Sequence, residues 1–250
     1  MKVGFLITAR LKSTRLPKKL LLKIHDQEII KWMIRRIKLN HSLDHIIICT
    51  STNEEDDPLI SIAEKEGILS FRGSEEDVIE RLNGAAEYYG LDLILNITAD
   101  CPLVSFEYID IAIEEYKKSG ADFIRTLDLP HGLFLYGISA PALKKVIEIK
   151  KEKNTEVWGK LFTDTGLFKV KDIKIPDNLV RPNYRLTLDY PEDFEFFKKV
   201  FQENGLETYK MTDKEIVNYL DKNEKVVAIN AHCEELYKKR WTEQSNIKLS

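Results

Sequence analysis

Residues 3–19 read VGFLITARLKSTRLPKK, in which an apolar segment leads directly into a basic one. Residues 3–9 form a short apolar run, which predicts a strand buried inside a sheet. Residues 10–23 are basic and contain Pro17, which predicts a loop. Because ligands bind at the carboxyl ends of strands in parallel sheets, this basic loop is where we expect a binding site.

The pattern of a strand followed by a helix repeats along the first half of the chain. Helices are predicted at residues 28–40, 57–66 and about 74–89, and strands at residues 45–50, 68–71 and 91–97. Ser74 followed by Asp77 resembles a capping box at the start of the third helix. This alternation predicts an α/β fold, with a mostly parallel sheet flanked by helices.

Three charged residues, Arg10, Arg72 and Asp100, each follow the predicted end of a strand. The carboxyl ends of parallel strands meet at one edge of a sheet, so we expect the three side chains to share one cleft. Arg72 either contacts a ligand there or pairs with a nearby acid. Ser74 is most simply the N-cap of the helix that follows.

The second half of the chain is less regular. Helices are predicted at residues 106–118 and 191–202, and strands at residues 132–138 and 166–173. We treat residues 1–250 as a single domain, and an inserted subdomain or dimerisation arm at about 126–185 is the alternative. Residues 157–166 have no clear assignment, and residues 234–240 predict a solvated helix or a dimer surface.

Composition and charge narrow the class of protein. The 250 residues are 43% hydrophobic and carry a formal net charge of -3, so the chain lacks the basic surplus of a general nucleic-acid binder. Its three cysteines form no CxxC pair, which predicts reduced thiols. The first residues resemble no signal peptide, and no stretch approaches the roughly 20 apolar residues of a membrane span. We therefore expect a cytoplasmic protein that does not enter a membrane.

The loop after the first strand carries the groups that a triphosphate requires. Arg10, Arg15 and Lys19 supply positive charge, and Ser13 supplies a hydroxyl. The loop is not a Walker A motif, because the pattern GxxxxGK[ST] is absent. A solvated basic loop without a ligand is the alternative interpretation.

Two acidic residues stand at matching junctions between a strand and a helix. Asp100 lies in NITADCPL and Asp189 lies in RLTLDYPED, each after an apolar segment and shortly before a proline. Mg²⁺ is usually held by one or two carboxylates together with phosphates and waters, so the pair is a candidate metal site. The alternatives are a turn residue at Asp100 and an N-cap at Asp189.

Taken together, these segments resemble the cytidylyltransferase family, which includes the spore-coat polysaccharide protein F group and the CMP-Kdo and CMP-sialic acid synthetases. The likeness extends over about residues 1–200 and is carried by ARLKSTRLPKK, CTSTNEEDDP, FRGSEEDV, NITADCPL and RLTLDYPEDF. It implies a Rossmann-like nucleotidyltransferase fold, a homodimer, and CTP and Mg²⁺ as substrate and cofactor. The implied reaction transfers CMP to a sugar, sugar acid or sugar phosphate and releases pyrophosphate, for surface polysaccharide or glycan biosynthesis.

The resemblance and the strand-end positions together yield a set of candidate site residues. The nucleotide-binding candidates are Thr8, Ala9, Arg10, Ser13, Arg15, Lys19, Arg72, Ser74 and Thr98, and the acceptor-binding candidates are His131, Phe134 and Arg185. The metal candidates are Asp100 and Asp189, and these two acids with Arg10 and Lys19 are the catalytic candidates. Arg185 matches an arginine that lies near the acceptor in the family.

The sequence also departs from the family pattern. Lys12 and Lys18 stand where glycine is usual, Ala99 replaces a glycine, and Phe134 stands where an acid is common. The departures at residues 131–134 and 154–166 lie after Asp100, where related enzymes build their acceptor pocket. We therefore expect an acceptor other than ordinary Kdo, selected by residues 128–136 and 154–166. A less hydroxylated, acylated or deoxy acceptor would suit an apolar ring at position 134. The alternative is that this ring belongs to the core.

Three other functions remain open from the sequence. The first is the same chemistry with another nucleotide, such as guanylyl transfer to a sugar phosphate. The second is a nucleotide-binding regulatory homologue without turnover, and the third is a glycosyltransferase that uses a nucleotide sugar.

Overall fold

The structure, a computed structural model, describes residues 1–244, with side chains up to residue 239. The strands are β1 (Val3–Thr8), β2 (Lys23–Ile24), β3 (Gln27–Glu28), β4 (His45–Ser51), β5 (Leu69–Gly73), β6 (Leu93–Thr98), β7 (Phe123–Arg125), β8 (Tyr136–Ser139) and β9 (Val170–Asp172). The α-helices are α1 (Ile29–Ile37), α2 (Asp57–Lys65), α3 (Val78–Tyr89), α4 (Glu107–Ser119), α5 (Ala140–Ile149), α6 (Lys160–Thr163), α7 (Pro191–Asn204), α8 (Asp213–Lys222), α9 (Glu224–Val227) and α10 (Cys233–Gln244). Short 3-10 helices cover Lys19–Leu21, Glu54–Asp56 and Gly205–Lys210. Within residues 1–244, no helix combines the length and the apolar character needed to cross a membrane.

A seven-stranded sheet in the order β5-β4-β1-β6-β8-β7-β9 forms the centre of the molecule. β1 pairs in parallel with β4 and β6, and β5 pairs in parallel with β4. β8 is antiparallel to both of its neighbours, and β9 is parallel to β7. The predicted α/β fold with a mostly parallel sheet is therefore confirmed.

Both faces of the sheet are covered, which explains why its central strands are apolar along their whole length. In β1, Phe5 and Ile7 contribute to one hydrophobic cluster and Leu6 contributes to a second. Successive side chains of a strand point to opposite faces, so the two clusters lie on opposite sides of the sheet. Helices α1, α4, α7 and α8 supply residues to the first cluster, whereas α3, α5 and α6 supply residues to the second.

Several predicted boundaries need correction. Asp77, and not Ser74, is the N-cap of α3: its carboxylate accepts a hydrogen bond from the Glu80 amide at 3.0 Å, and the helix begins at Val78. Arg72 lies within β5 and not beyond its end. The strand expected at 132–138 is the shorter β8, and the strand expected at 166–173 is the shorter β9. β7 and α5 were not predicted. β7 has only 3 residues, whereas α5 carried an overlooked signal, a serine N-cap at Ser139 followed by a proline in the first turn.

The reason for the short β8 is that residues just before it pack against another segment. His131 forms an isolated parallel bridge with Arg185, and the Leu186 amide donates a 2.6 Å hydrogen bond to the His131 carbonyl. The proposed subdomain at about 126–185 stays a prediction, although β8 and β9 both pair within the main sheet.

Gly132 makes this contact feasible. Its φ of 99° lies in the left-handed region, and a Cβ atom placed on it would lie only 2.1 Å from the Leu186 carbonyl oxygen. The two backbones approach so closely that no other residue fits at this position. Gly132 thus allows the segment that carries His131 and Phe134 to pack directly against the segment that leads to Asp189.

We expect Gly132→Ala to lower the free energy of unfolding by about 2 kcal/mol or more, because the methyl group would force the two segments apart. Urea unfolding monitored by circular dichroism measures the change. Gly120→Ala is the matched control: its φ is 61°, but its Cβ would meet nothing within 4 Å. The control should cost only about 1 kcal/mol, the price of a left-handed alanine. Equal losses for the two variants would contradict the importance of the contact.

Candidate active site

Two adjoining cavities open at the carboxyl ends of β1 and β6. The first, the loop cavity, has a volume of about 360 Å³ and is lined by the basic loop together with Glu75 and Glu76. The second, the aromatic cavity, has a volume of about 270 Å³ and is lined by Phe134, Tyr136 and Tyr237 among others. The residues that line both are Arg15, Lys19, Thr98, Asp100, Glu156 and Trp158. The cavities are therefore two halves of one cleft.

The basic loop is held in place at its start by buried acids and carbonyls. The Leu11 amide donates to the Asp56 carboxylate at 2.7 Å, and Asp56 is itself buried. The Arg10 guanidinium donates to the Glu75 carbonyl at 2.9 Å and lies 3.6 Å from the Glu156 carboxylate. Because these contacts fix the backbone, the cations of the loop face the loop cavity.

Lys18 sets the direction of the chain before Lys19. Its φ of 52° is left-handed, so the backbone keeps a conformation that favours glycine although a lysine occupies the position. A 3-10 helix begins immediately afterwards, at Lys19. This turn directs the Lys19 side chain toward the junction of the two cavities.

Lys19 joins the two predicted metal-binding acids. Its Nζ lies 2.5 Å from Oδ2 of Asp100 and 2.8 Å from Oδ1 of Asp189. Burial of Lys19 acts to lower the pKa of its ammonium, but the two carboxylates outweigh it and raise that pKa above its usual value. The basic loop and both acids therefore lie in one cleft, and their roles there stay a prediction.

Asp189 is the most heavily paired acid of the cleft. Its Oδ1 also accepts from Arg15 at 2.5 Å, and its Oδ2 accepts from Arg185 at 3.2 Å. Burial acts to raise the pKa of Asp189, but the charges of Lys19 and Arg15 hold it well below its usual range. Asp189 is therefore a buried carboxylate that stays ionised.

The two carboxylates are a suitable donor set for Mg²⁺. Both reach a single cationic nitrogen, so their oxygens converge on one point where positive charge is already favoured. Mg²⁺ typically takes one or two carboxylates and completes its coordination with phosphate oxygens and waters. The adjoining loop cavity is the side from which a phosphate would approach.

Four predicted residues do not line either cavity. The Arg72 guanidinium instead contacts the Ser51 carbonyl at 2.9 Å and the Asp57 carboxylate at 2.6 Å, as the alternative interpretation anticipated. Ser74 accepts from the Asp77 amide, and Ala9 is buried with its amide bonded to Cys49. Arg185 is fully buried behind Asp189. The other candidates line one or both cavities, and they are Thr8, Arg10, Ser13, Arg15, Lys19, Thr98, Asp100, His131, Phe134 and Asp189.

A continuous series of ring contacts forms one wall of the aromatic cavity. In order, the rings belong to Tyr237, His131, Phe134, Tyr136 and Trp158, and neighbouring centroids are 4.8 to 5.6 Å apart. His131 and Phe134 were candidates from the sequence, and Tyr136 and Trp158 lie within the segments 128–136 and 154–166 that were predicted to select the acceptor, whereas Tyr237 was not predicted. Trp158 lies in the region that departs from the family pattern, which was the available signal.

Residues 234–240 were predicted to form a solvated helix or a dimer surface, and Tyr237 shows that this helix, α10, is not solvated on all sides. The dimer surface stays a prediction. Tyr237 lines the aromatic cavity from α10, and Glu234 on the same helix is only 14% exposed. Periodicity did not reveal this, because most of the neighbouring side chains of α10 are charged and exposed.

Several known proteins are similar to this chain in sequence. An uncharacterized protein of Methanocaldococcus jannaschii is 33% identical over 234 residues, which cover 93% of this chain and 96% of that one. The spore coat polysaccharide biosynthesis protein SpsF of Bacillus subtilis is 29% identical, with 88% and 94% covered. The 3-deoxy-manno-octulosonate cytidylyltransferase of Chloroherpeton thalassium is 26% identical, with 67% and 73% covered.

A solved structure extends the similarity to three dimensions. A cytidylyltransferase from Leptospira borgpetersenii superposes with a TM-score of 0.83 at 29% identity, covering 91% of this chain and 97% of that one. The model of the cytidylyltransferase family matches residues 5–216, a range that contains most of β1, the basic loop and both acids. The resemblance inferred from the sequence motifs is confirmed: the chain belongs to the cytidylyltransferase family and is a nucleotidyltransferase.

Proposed function

We propose that this enzyme transfers CMP from CTP to a sugar-type acceptor and releases pyrophosphate, with Mg²⁺ held by Asp100 and Asp189. The observation that carries the proposal is the position of Lys19 between these two carboxylates, at the junction of the two cavities. The names of the relatives support the substrate class, since they include a polysaccharide biosynthesis protein and a sugar-acid cytidylyltransferase.

The loop cavity has the chemistry of a triphosphate site. Arg10, Lys12, Arg15 and Lys19 all line it, and Ser13 adds a hydroxyl. Arg15 can grip two phosphate oxygens at once, whereas a lysine acts as a point charge. With CTP in this cavity, the cations would stabilise the negative charge that develops on the leaving pyrophosphate.

The aromatic cavity has the chemistry of an acceptor site. Its ring wall offers a large apolar surface, and its inner end reaches Asp100 and Asp189. An acceptor bound there would present its reactive oxygen at the junction, opposite the leaving pyrophosphate. Holding the two reactants in this alignment converts a bimolecular reaction into an effectively unimolecular one.

The proposed step is an in-line displacement. The acceptor oxygen forms a bond to the α-phosphorus of CTP while the bond from that phosphorus to the bridging oxygen breaks, and pyrophosphate leaves with the electron pair. Mg²⁺ bound at the two carboxylates would supply positive charge that lowers the repulsion between the nucleophile and the α-phosphate. A phosphate acceptor arrives ionised, whereas a hydroxyl must lose its proton to a carboxylate of the site.

Guanylyl or other nucleotidyl transfer is the remaining alternative, and competition binding with CTP and GTP separates the two. Family membership sets aside the regulatory and glycosyltransferase alternatives. A homodimer, a cytoplasmic location and the absence of nucleic-acid binding stay predictions. Light scattering during size-exclusion chromatography tests the first of these.

We expect Asp100→Asn and Asp189→Asn each to reduce turnover by at least about 100-fold at saturating Mg²⁺, because metal-borne charge stabilisation is worth several kcal/mol. Asparagine keeps the volume and removes only the charge. Pyrophosphate release with CTP and a panel of sugar acids and sugar phosphates is the measurement. Asp110→Asn, at an exposed acid of α4 that lines neither cavity, is the control. Near-normal turnover in either site variant would show that its carboxylate is structural.

We expect Arg15→Ala and Lys19→Ala to weaken CTP binding far more than CMP binding, because CMP lacks the β- and γ-phosphates. Calorimetric titrations with the two nucleotides measure the difference. Lys23→Ala removes an exposed lysine that lines neither cavity and should change neither affinity. Equal losses for CTP and CMP would mean that the loop does not contact the leaving group.

We expect Kdo to be a poor acceptor, with kcat/KM below about 10⁴ M⁻¹s⁻¹, the lower end of the usual range for enzymes. Among the five rings of the wall, Phe134 is the one without a hydrogen-bonding group, so at this position a sugar hydroxyl finds no polar partner. We therefore expect Phe134→Asp to shift the ranking of acceptors toward more hydroxylated ones, while Phe134→Leu preserves it. An unchanged ranking in a stable Phe134→Asp variant would remove this ring from the determinants of specificity.

A further inference from the structure

Helix α10 lies outside the family match yet contacts the candidate site. The match ends at residue 216, whereas α10 covers Cys233–Gln244. Before the helix, the Asn230 side chain donates to the Arg185 carbonyl at 3.1 Å and to the Asp193 carboxylate at 2.8 Å. These two bonds fix the start of α10 against the segment that carries Asp189.

Arg185 connects α10 to Asp189. Its side chain is fully buried and is surrounded by three carboxylates. Nε and Nη2 donate to Asp193 at 2.9 and 3.0 Å, and Nη1 donates to Glu234 of α10 at 3.0 Å. Nη2 also donates to Asp189, but at the longer distance of 3.2 Å. One guanidinium charge is therefore shared among three acids, and Asp189 receives the weakest contact.

Glu234 does not need its negative charge to make its two hydrogen bonds. Its Oε2 lies 3.0 Å from Arg185 and 2.8 Å from His131 Nδ1, and a neutral amide could make both contacts. What the amide would lack is the negative charge. Without that charge, the attraction between the Arg185 guanidinium and the Asp189 carboxylate would be stronger. Arg185 would then compete more strongly with any cation that Asp189 binds.

We propose that Glu234 is a positioning residue that keeps Asp189 available for Mg²⁺ by holding the charge of Arg185 away from it. The inference rests on the proposed function, because it takes Asp189 as a metal ligand. Groups that contact a metal ligand directly change metal affinity by about 10- to 100-fold when they are altered, and Glu234, which acts through Arg185, should fall at the lower end of that range. The acid that holds the metal would thus depend on a helix that the family match does not include.

The test compares Glu234→Gln with Glu235→Gln. Both substitutions remove one negative charge from α10, but Glu235 is exposed. Calorimetric titration of CTP at a series of Mg²⁺ concentrations, with no acceptor present, gives the Mg²⁺ concentration for half-maximal stimulation of binding. We expect this concentration to rise about tenfold in Glu234→Gln and to stay at the wild-type value in Glu235→Gln.

Glu234→Asp separates charge from shape. It keeps the charge but shortens the side chain, so we expect a smaller shift than in Glu234→Gln. A merely structural role would instead lower the melting temperature of the Glu234 variants and leave the Mg²⁺ dependence unchanged. That result, or equal Mg²⁺ dependence in Glu234→Gln and Glu235→Gln beside a Mg²⁺-responsive wild type, would overturn the inference alone. A wild-type protein whose CTP binding ignores Mg²⁺ would overturn the proposed function as well.

Discussion

The charge of Asp189 is the constraint on which the rest of the cleft depends. A carboxylate that is only 4% exposed has to be paired, because an unpaired buried charge costs several kcal/mol. Its partners are Arg15 and Lys19 from the start of the chain and Arg185 from just before it. The basic loop and the segment leading into α7 must therefore close on each other for the protein to fold. The same closure creates the site.

The parallel sheet makes this closure geometrically simple. β1 and β6 are neighbours with Thr8 opposite Thr98, so the loop after one strand and Asp100 after the other emerge side by side. The Leu188 amide donates to the Asp100 carbonyl at 2.8 Å, which adds the Asp189 segment at the same edge. Backbone hydrogen bonds thus place both acids before any side chain is considered. Lys19 then neutralises part of their mutual repulsion.

The two halves of the cleft are built on different principles. The cations of the loop cavity lie close together in sequence, on the loop that follows β1, although acids from other segments also line it. The aromatic cavity is made of rings from Tyr136, Trp158 and α10, which meet only because the irregular second half packs around β8. Under the proposed function, charged side chains bind the triphosphate, which is the same in every nucleoside triphosphate, whereas the shape of the ring wall selects the acceptor. We infer that changes in acceptor specificity occur mainly in the second half of the chain.

The alternation of strands and helices determined the fold class, and the motifs determined the family. The sequence also placed the basic loop and Asp100 at one edge of the sheet, because both follow parallel strands that end there. Asp189 follows none of the strands β1 to β9 directly, and a backbone contact to Asp100 brings its segment to this edge. The sequence did not show that Arg72 and Ser74 lie outside the cleft. An arginine near the end of a strand can bind a ligand or pair with an acid, and the structure pairs Arg72 with Asp57. Only the tertiary structure decided which aromatic rings form the second cavity and that Glu234 reaches Arg185. Those contacts join residues far apart in the chain, and local periodicity carries no information about them.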